Sequence, residues 1–189
     1  MIEDIFPTPF YQVDLNCKIL EMQKYCLDMM SNDKGRTISN IGGWQSKNLN
    51  GIHMPLNELF EDIEYHGNVF AKKLHLKKSV SIENIWININ GFKDYNVLHS
   101  HTHTFFSGVF YVKCPENCGS IVFKHPAYMT MQYDWYNNAG NEYSWAIRKG
   151  ENIENKLYLF PSWLEHSVEP NLNKNEERIS ISFNSRYKK

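Results

Sequence analysis

The feature that most constrains this chain is a change of hydrophobic period near residue 80. Upstream, apolar residues recur at roughly 3.6-residue spacing. One amphipathic stretch runs from about Ile19 to Met30, and a stronger one follows Pro55 with Leu56, Leu59, Phe60, Ile63, Phe70 and Leu74. Downstream the period is two: Ile85, Ile87 and Ile89 alternate with Trp86, Asn88 and Asn90, and FFSGVFYVKC, GSIVFKHP, NKLYLFPSW and ERISISFN follow. Helices first and then closely spaced strands predict an α+β fold that is mainly β, an antiparallel sandwich or barrel with N-terminal helices supporting one sheet. The 189 residues carry no internal repeat, low-complexity tract or long linker, so one domain is expected, with residues 1–79 mostly helical and residues 80–189 forming the β core. Residues 39–51, with Gly42, Gly43 and Asn50-Gly51, read as a loop or short ribbon. The stretch 127–150 holds Tyr128, Tyr133, Trp135, Tyr136, Tyr143 and Trp145 among turn residues and reads as a lid or an inserted hairpin.

Composition excludes several classes of function. Apolar residues make up 42% of the chain, too many for a disordered protein. A net charge of -1 removes any global attraction for nucleic acid, and Lys72, Lys73, Lys77 and Lys78 read as the solvated end of a helix. No run approaches the ~20 apolar residues of a membrane span, and MIEDIFPTPF lacks the order of a signal peptide, so a cytoplasmic protein without a membrane partner is expected. Cys17, Cys26, Cys114 and Cys118 are too dispersed for a disulfide framework and are taken as reduced and structural. Cys114 and Cys118 could ligate a metal, but Pro115 to Asn117 between them read more simply as a hairpin turn.

Chemistry concentrates in three places. In LHSHTHTFF, an extended backbone would turn His99, His101 and His103 toward one face, so one strand end can offer a pair of metal ligands. His166, in LFPSWLEHSVEP, follows an apolar strand and a turn-setting proline and can supply a third. The last strand sets Ile179, Ile181 and Phe183 on one side and Arg178, Ser180, Ser182 and Asn184 on the other. A guanidinium fork beside a serine hydroxyl suits a carboxylate. The alternatives are histidines facing solvent on an exposed strand and an arginine on an ordinary surface strand. With only four arginines in the chain, the position of Arg178 carries weight.

Taken together, the HxH of His99 and His101, SGVFYV, FPSWLEH and ERISISFN resemble the iron- and 2-oxoglutarate-dependent oxygenases. The likeness is strongest to a group of small, uncharacterised members reading HxHP, SGVYYV, FPSWLxH and RISISFN. FPTPFYQVDL and the GWQS of Gly43 to Ser46 extend it over most of the chain. The resemblance implies a double-stranded β-helix, or jelly roll, that binds Fe(II) and 2-oxoglutarate. His99, His101 and His166 would be the metal ligands. Arg178 and Ser180 would hold the distal carboxylate of 2-oxoglutarate, Tyr111 would touch the same carboxylate, and Asn184, with Asn88 and Asn90, would line the pocket. The expected activity is hydroxylation of an unidentified small molecule or peptide with decarboxylation of 2-oxoglutarate to succinate.

One departure stands out, because the superfamily usually has HxD or HxE where this chain has HxH. Three neutral imidazoles would leave the dianionic cosubstrate as the main counter-charge to the metal. His101 with His103 is the other possible pair, and Asp94 is a carboxylate that could join. Glu165 would point away from His166 in extended chain. Two other readings remain open: a cupin-like three-histidine dioxygenase or isomerase without 2-oxoglutarate, and a non-catalytic jelly-roll binding module.

Overall fold

The computed structural model describes residues 3–130 and 144–188. Strand β1 (Tyr11–Asp14) leads into helix α1 (Ile19–Asn32), and the short strands β2 (Asn40–Ile41) and β3 (Trp44–Gln45) precede a 3₁₀ turn at Met54–Leu56 and helix α2 (Asn57–Lys73). Strands β4 (Val80–Asn90), β5 (Tyr95–His99), β6 (Phe106–Lys113), β7 (Ile121–Lys124), β8 (Ile147–Lys149), β9 (Lys156–Pro161), β10 (His166–Val168) and β11 (Arg178–Tyr187) complete the chain. They form two antiparallel sheets, ordered β1-β9-β6-β11-β4-β3 and β2-β5-β10-β7-β8. This is the jelly-roll arrangement expected, and the helices lie where the period-3.6 segments predict them.

The N-terminal third is less purely helical than its periodicity suggests. β1, β2 and β3 come from it and extend both sheets. They are too short for an alternation pattern, and their pairing partners lie far away in sequence. The Pro115–Cys118 turn is also not a hairpin: it joins β6 of one sheet to β7 of the other, so it turns a corner of the sandwich. Of the aromatic stretch 127–150, Tyr133, Trp135, Tyr136 and Tyr143 lie outside the described residues, whereas β8 pairs with β7. Among the described residues no helix is long and apolar enough to cross a membrane.

Alternation along β4, β6 and β11 gives the larger sheet two unlike faces. Ile85, Ile87, Ile89, Phe110, Ile179, Ile181 and Phe183 pack with Leu59, Ile63 and Phe70 of α2 in the main core. At ~25 cal/mol per Å² of apolar surface buried, this layer is the chief source of stability. The opposite face meets the second sheet across a smaller aromatic cluster of Val109, Tyr111, Ile121, Phe123, Tyr158 and Phe160. The cavity opens on that inner face.

Candidate active site

Strand register builds the cavity from residues far apart in the sequence. On β4 and β11, Asn90 pairs with Arg178, Asn88 with Ser180 and Trp86 with Ser182, while Tyr111 of β6 pairs with Ser180 from the other side. In the second sheet His166 of β10 pairs with His99 of β5. Paired residues on one face have neighbouring side chains, so the two imidazoles meet.

The third histidine arrives by a different route. β5 ends at His99, and the chain then hugs the end of β9, with the His101 amide donating to the Ser162 carbonyl at 2.9 Å. The ring centroids of His99, His101 and His166 stand 5.1, 4.4 and 5.2 Å apart. One nitrogen from each lies within 4.8 Å of the others. His103 does not join them: it sits in a turn at φ 68° and is exposed, because the extended backbone that would have aligned three histidines stops at His99. Asp94 is also elsewhere, its carboxylate accepting from the Gly91 amide at 2.8 Å. Glu165 faces solvent near Lys124, as extended geometry requires.

The imidazoles are in a state that could coordinate a metal. His99 Nδ1 hydrogen-bonds the Val97 carbonyl at 2.7 Å and His166 Nδ1 the Leu164 carbonyl at 2.9 Å. A carbonyl only accepts, so each Nδ1 carries the proton and each Nε2 keeps a free lone pair. Burial, reinforced by the neighbouring imidazoles, lowers His166 to about 3 and His101 to about 4, and burial also lowers His99. All three are therefore neutral near pH 7, the state in which histidine binds metal. The His101 ring stacks between Trp86 at 5.9 Å and His166 at 5.2 Å, and among the described residues it makes no side-chain hydrogen bond.

The far end of the cavity carries a buried cation. Arg178 is 1% exposed. Its Nη1 donates to the carbonyls of Cys118, Gly119 (3.0 Å) and Glu169 (3.2 Å). Its Nη2 is buried without a hydrogen-bond partner among the described residues. A buried, unpaired guanidinium arm is costly, and a carboxylate placed against it removes the cost. Tyr111 and Ser180 line the same cavity, and burial pushes the Tyr111 phenol up, so it remains a donor. The Cys118 thiol, hydrogen-bonded by Cys114 and close to Arg178, is lowered to about 7, while Cys114 is raised.

Three imidazole nitrogens at one end and a free guanidinium arm at the other thus fit a divalent metal and a dicarboxylate. Of the nine residues that the resemblance places at the site, eight line this cavity: His99, His101, His166, Arg178, Ser180, Tyr111, Asn88 and Asn90. Asn184 is the exception. Its amide is spent within the sheet, accepting from Ser107 Oγ at 2.7 Å and donating to Asn84 at 2.9 Å. Trp86, Asn96 and Ser39 also line the cavity and were not singled out as site residues. The alternation of β4 already turned Trp86 to this face, whereas Ser39 and Asn96 had no such signal.

Residues 84–184, more than half of the chain, match the family described as "Putative 2OG-Fe(II) oxygenase". The fold is similar to a Pseudomonas putida prolyl-4-hydroxylase (TM-score 0.69, 13% identity, 96% of this chain and 94% of that one). It is also similar to HygX from Streptomyces hygroscopicus, solved with nickel and 2-oxoglutarate bound (TM-score 0.60, 10% identity, 95% and 83% covered). A third is a Trichoplax adhaerens prolyl hydroxylase in complex with a hypoxia inducible factor oxygen degradation domain peptide fragment (TM-score 0.62, 14% identity, 94% and 82% covered). No curated protein matches the sequence.

Proposed function

This chain belongs to the 2OG-Fe(II) oxygenase family, and from that premise we propose that it hydroxylates a small-molecule or peptide substrate, with His99, His101 and His166 holding the iron. In the same reading Arg178, Ser180 and Tyr111 receive the distal carboxylate of 2-oxoglutarate. The observation that carries it is the unpartnered Nη2 of Arg178, buried in the same cavity as the three neutral imidazoles. When bound, iron with 2-oxoglutarate and O2 supplies the chemistry: oxygen enters a substrate C–H bond while 2-oxoglutarate loses CO2 and becomes succinate.

The chain's own residues bind, orient and shield. Arg178, fixed by three carbonyls on one arm, sets the cosubstrate's direction with the other. Val109, Ile121 and Val168 give the methylenes an apolar wall, and Phe160 packs on the inner side of His166 with ring centroids 4.9 Å apart. Both exclude water from the reacting end. With no carboxylate beside the three imidazoles among the described residues, the cosubstrate's own charge would balance the metal. Two of the similar folds are prolyl hydroxylases, which supports a peptide as one of the two substrate classes.

The test is anaerobic titration with ferrous iron, with and without 2-oxoglutarate. Wild type should develop a visible charge-transfer band only when both are present. His101→Ala and His166→Ala should lose iron retention, whereas His103→Ala should keep it. No band in wild type, or loss of iron on changing His103 and not His101, would overturn the assignment.

A further inference from the structure

Two sulfurs meet at the corner where β6 of one sheet hands over to β7 of the other. Cys114 follows β6 and Cys118 precedes β7, and the turn between them closes with the Cys118 amide donating to the Pro115 carbonyl at 3.2 Å. Asn117 at φ 59° and Gly119 at φ 74° bend the chain back on itself, so the Cys114 thiol hydrogen-bonds the Cys118 sulfur. Cys118 is buried and Cys114 half-buried, which makes Cys114 the side from which a small molecule meets the pair. The other two cysteines are the contrast. Burial, with the carboxylates of Asp62 and Glu58, raises Cys17 to about 11, and burial raises Cys26 to about 12.

Arg178 stands close to both sulfurs. A guanidinium favours a thiolate and repels a metal cation, and among the described residues no third histidine, cysteine or carboxylate gathers with the pair. Touching thiols beside a fixed cation suit two-electron oxidation instead. We propose that Cys114 and Cys118 are a reversible thiol–disulfide site, closed by a peroxide, and that its closure shifts the seat of Arg178. Cys118, held down to about 7 by the Cys114 S–H and by Arg178, attacks one peroxide oxygen as the thiolate. The O–O bond breaks, hydroxide leaves and takes a proton to become water, and Cys118 is left as a sulfenic acid. The Cys114 sulfur then attacks the Cys118 sulfur, the S–O bond breaks, and the hydroxyl departs with the Cys114 proton as a second water. The two thiols give up two electrons and the peroxide accepts them. Closure reaches Arg178 because the corner has no slack. The carbonyls of Cys118 and Gly119 accept from Arg178 Nη1, and the Asn117 carbonyl accepts from the Leu172 amide at 2.9 Å. A Cβ on Gly119 would come within 2.5 Å of the Pro170 carbonyl. Drawing two sulfurs from contact into a bond of about 2.05 Å therefore displaces the carbonyls that hold the guanidinium.

The effect on cosubstrate rests on the reading that Arg178 receives 2-oxoglutarate, whereas the disulfide does not, and two measurements keep them apart. In the first, the full chain without metal is treated with hydrogen peroxide, and its cysteines are mapped by alkylation and mass spectrometry of the intact protein and its peptides. The expected product is one Cys114–Cys118 disulfide, two hydrogens lighter than the reduced chain and reopened by dithiothreitol, with Cys17 and Cys26 still alkylated. Cys114→Ser, without the second thiol, should stop at a Cys118 sulfenic acid that dimedone traps, and no trapping in the folded variant overturns Cys118 as the nucleophile. Survival of all four thiols, or loss of Cys17 or Cys26 as fast as the pair, overturns the redox site, and this wild-type map decides even where the variant fails to fold. In the second, peroxide is removed, the chain is loaded with manganese(II), and calorimetry compares 2-oxoglutarate binding by the reduced and oxidised forms. Disturbing one hydrogen bond of the Arg178 seat predicts roughly fivefold weaker binding after oxidation, recovered on reduction. Equal or tighter binding by the oxidised form overturns the coupling. A reduced chain that fails to bind 2-oxoglutarate overturns the reading of Arg178, while the disulfide still stands or falls on the peptide map.

Discussion

Replacing Arg178 tests two functions that one guanidinium combines, and the size of each follows from its hydrogen bonds. Nη1 serves three backbone carbonyls that link the β6–β7 corner, at Cys118 and Gly119, to Glu169, and Nη2 serves the cavity. Arg178→Ala strips the donor from all three carbonyls. At about 1 kcal/mol or more for each acceptor left buried, the loss is roughly 3 kcal/mol or more, a large share of the ~5 to 15 kcal/mol that holds a domain together. Loss of 2-oxoglutarate binding in that variant would therefore prove little. Arg178→Lys is the cleaner change. An ammonium carries three donors and no fork, so it can serve the carbonyls from a stem about one bond shorter while nothing replaces Nη2. We expect urea unfolding to show Arg178→Lys losing less than half of what Arg178→Ala loses. Calorimetry on manganese-loaded protein should show its 2-oxoglutarate affinity down at least tenfold, about 1.4 kcal/mol. Equal stability of Arg178→Ala and wild type would refute the corner-pinning role, and wild-type cosubstrate affinity in Arg178→Lys would refute the two-arm division.

The metal-free protein should lose stability on acidification. The unfolded chain protonates its histidines near 6.5, whereas folded His101 and His166 are held at about 4 and about 3, so stability falls from about pH 6.5 down to those values. A urea midpoint unchanged between pH 7.5 and pH 5 would contradict this. Trp86→Ala removes the ring stacked on His101, the one imidazole of the three without a hydrogen bond to orient it among the described residues. Iron affinity should drop about tenfold or more by competition with a chelator, and an unchanged affinity would mean the stack orients nothing. Gly108→Ala should cost ~2 kcal/mol or more in thermal melting, because its Cβ would come within 2.2 Å of the Phe183 ring and 2.5 Å of the Tyr158 carbonyl. A melting temperature within a degree or so of wild type would show that the sheet yields there.

How much of this was legible in the sequence depended on the range of each interaction. Local periodicity showed the helices, the long strands and the inner face of β11, because alternation survives wherever a strand is longer than about four residues. Two-residue strands such as β2 and β3 have no period, so their contribution to both sheets could not be read. The histidines show the same limit. Spacing alone treats His99, His101 and His103 as equals on one face. The backbone breaks that equality: β5 stops at His99, Ser162 captures the His101 amide, and His103 takes a positive φ. The resemblance named His99 and His101, the two imidazoles that the structure brings beside His166, and it also set the cupin-like and non-catalytic readings below the oxygenase that the family match supports.

The asparagines mark where sequence reading stops. Alternation sets Asn88 and Asn90 on the cavity face of β4 and Asn184 on that of β11, and nothing local ranks the three. What ranks them is bookkeeping across strands. Ser182 occupies the amide of Asn88, Asn84 and Ser107 occupy that of Asn184, and among the described residues no side chain hydrogen-bonds the carboxamide of Asn90. A buried polar group is kept either because the protein satisfies it or because a ligand does. By that criterion Asn184, which the resemblance put in the pocket, belongs to the sheet, whereas Asn90 and the second arm of Arg178 face the cavity. Arg178→Lys and Asn90→Ala should therefore be non-additive: if both groups grip one carboxylate, the double variant will bind 2-oxoglutarate less weakly than the product of the two single losses. Strictly multiplicative losses would place the two side chains on different parts of the ligand.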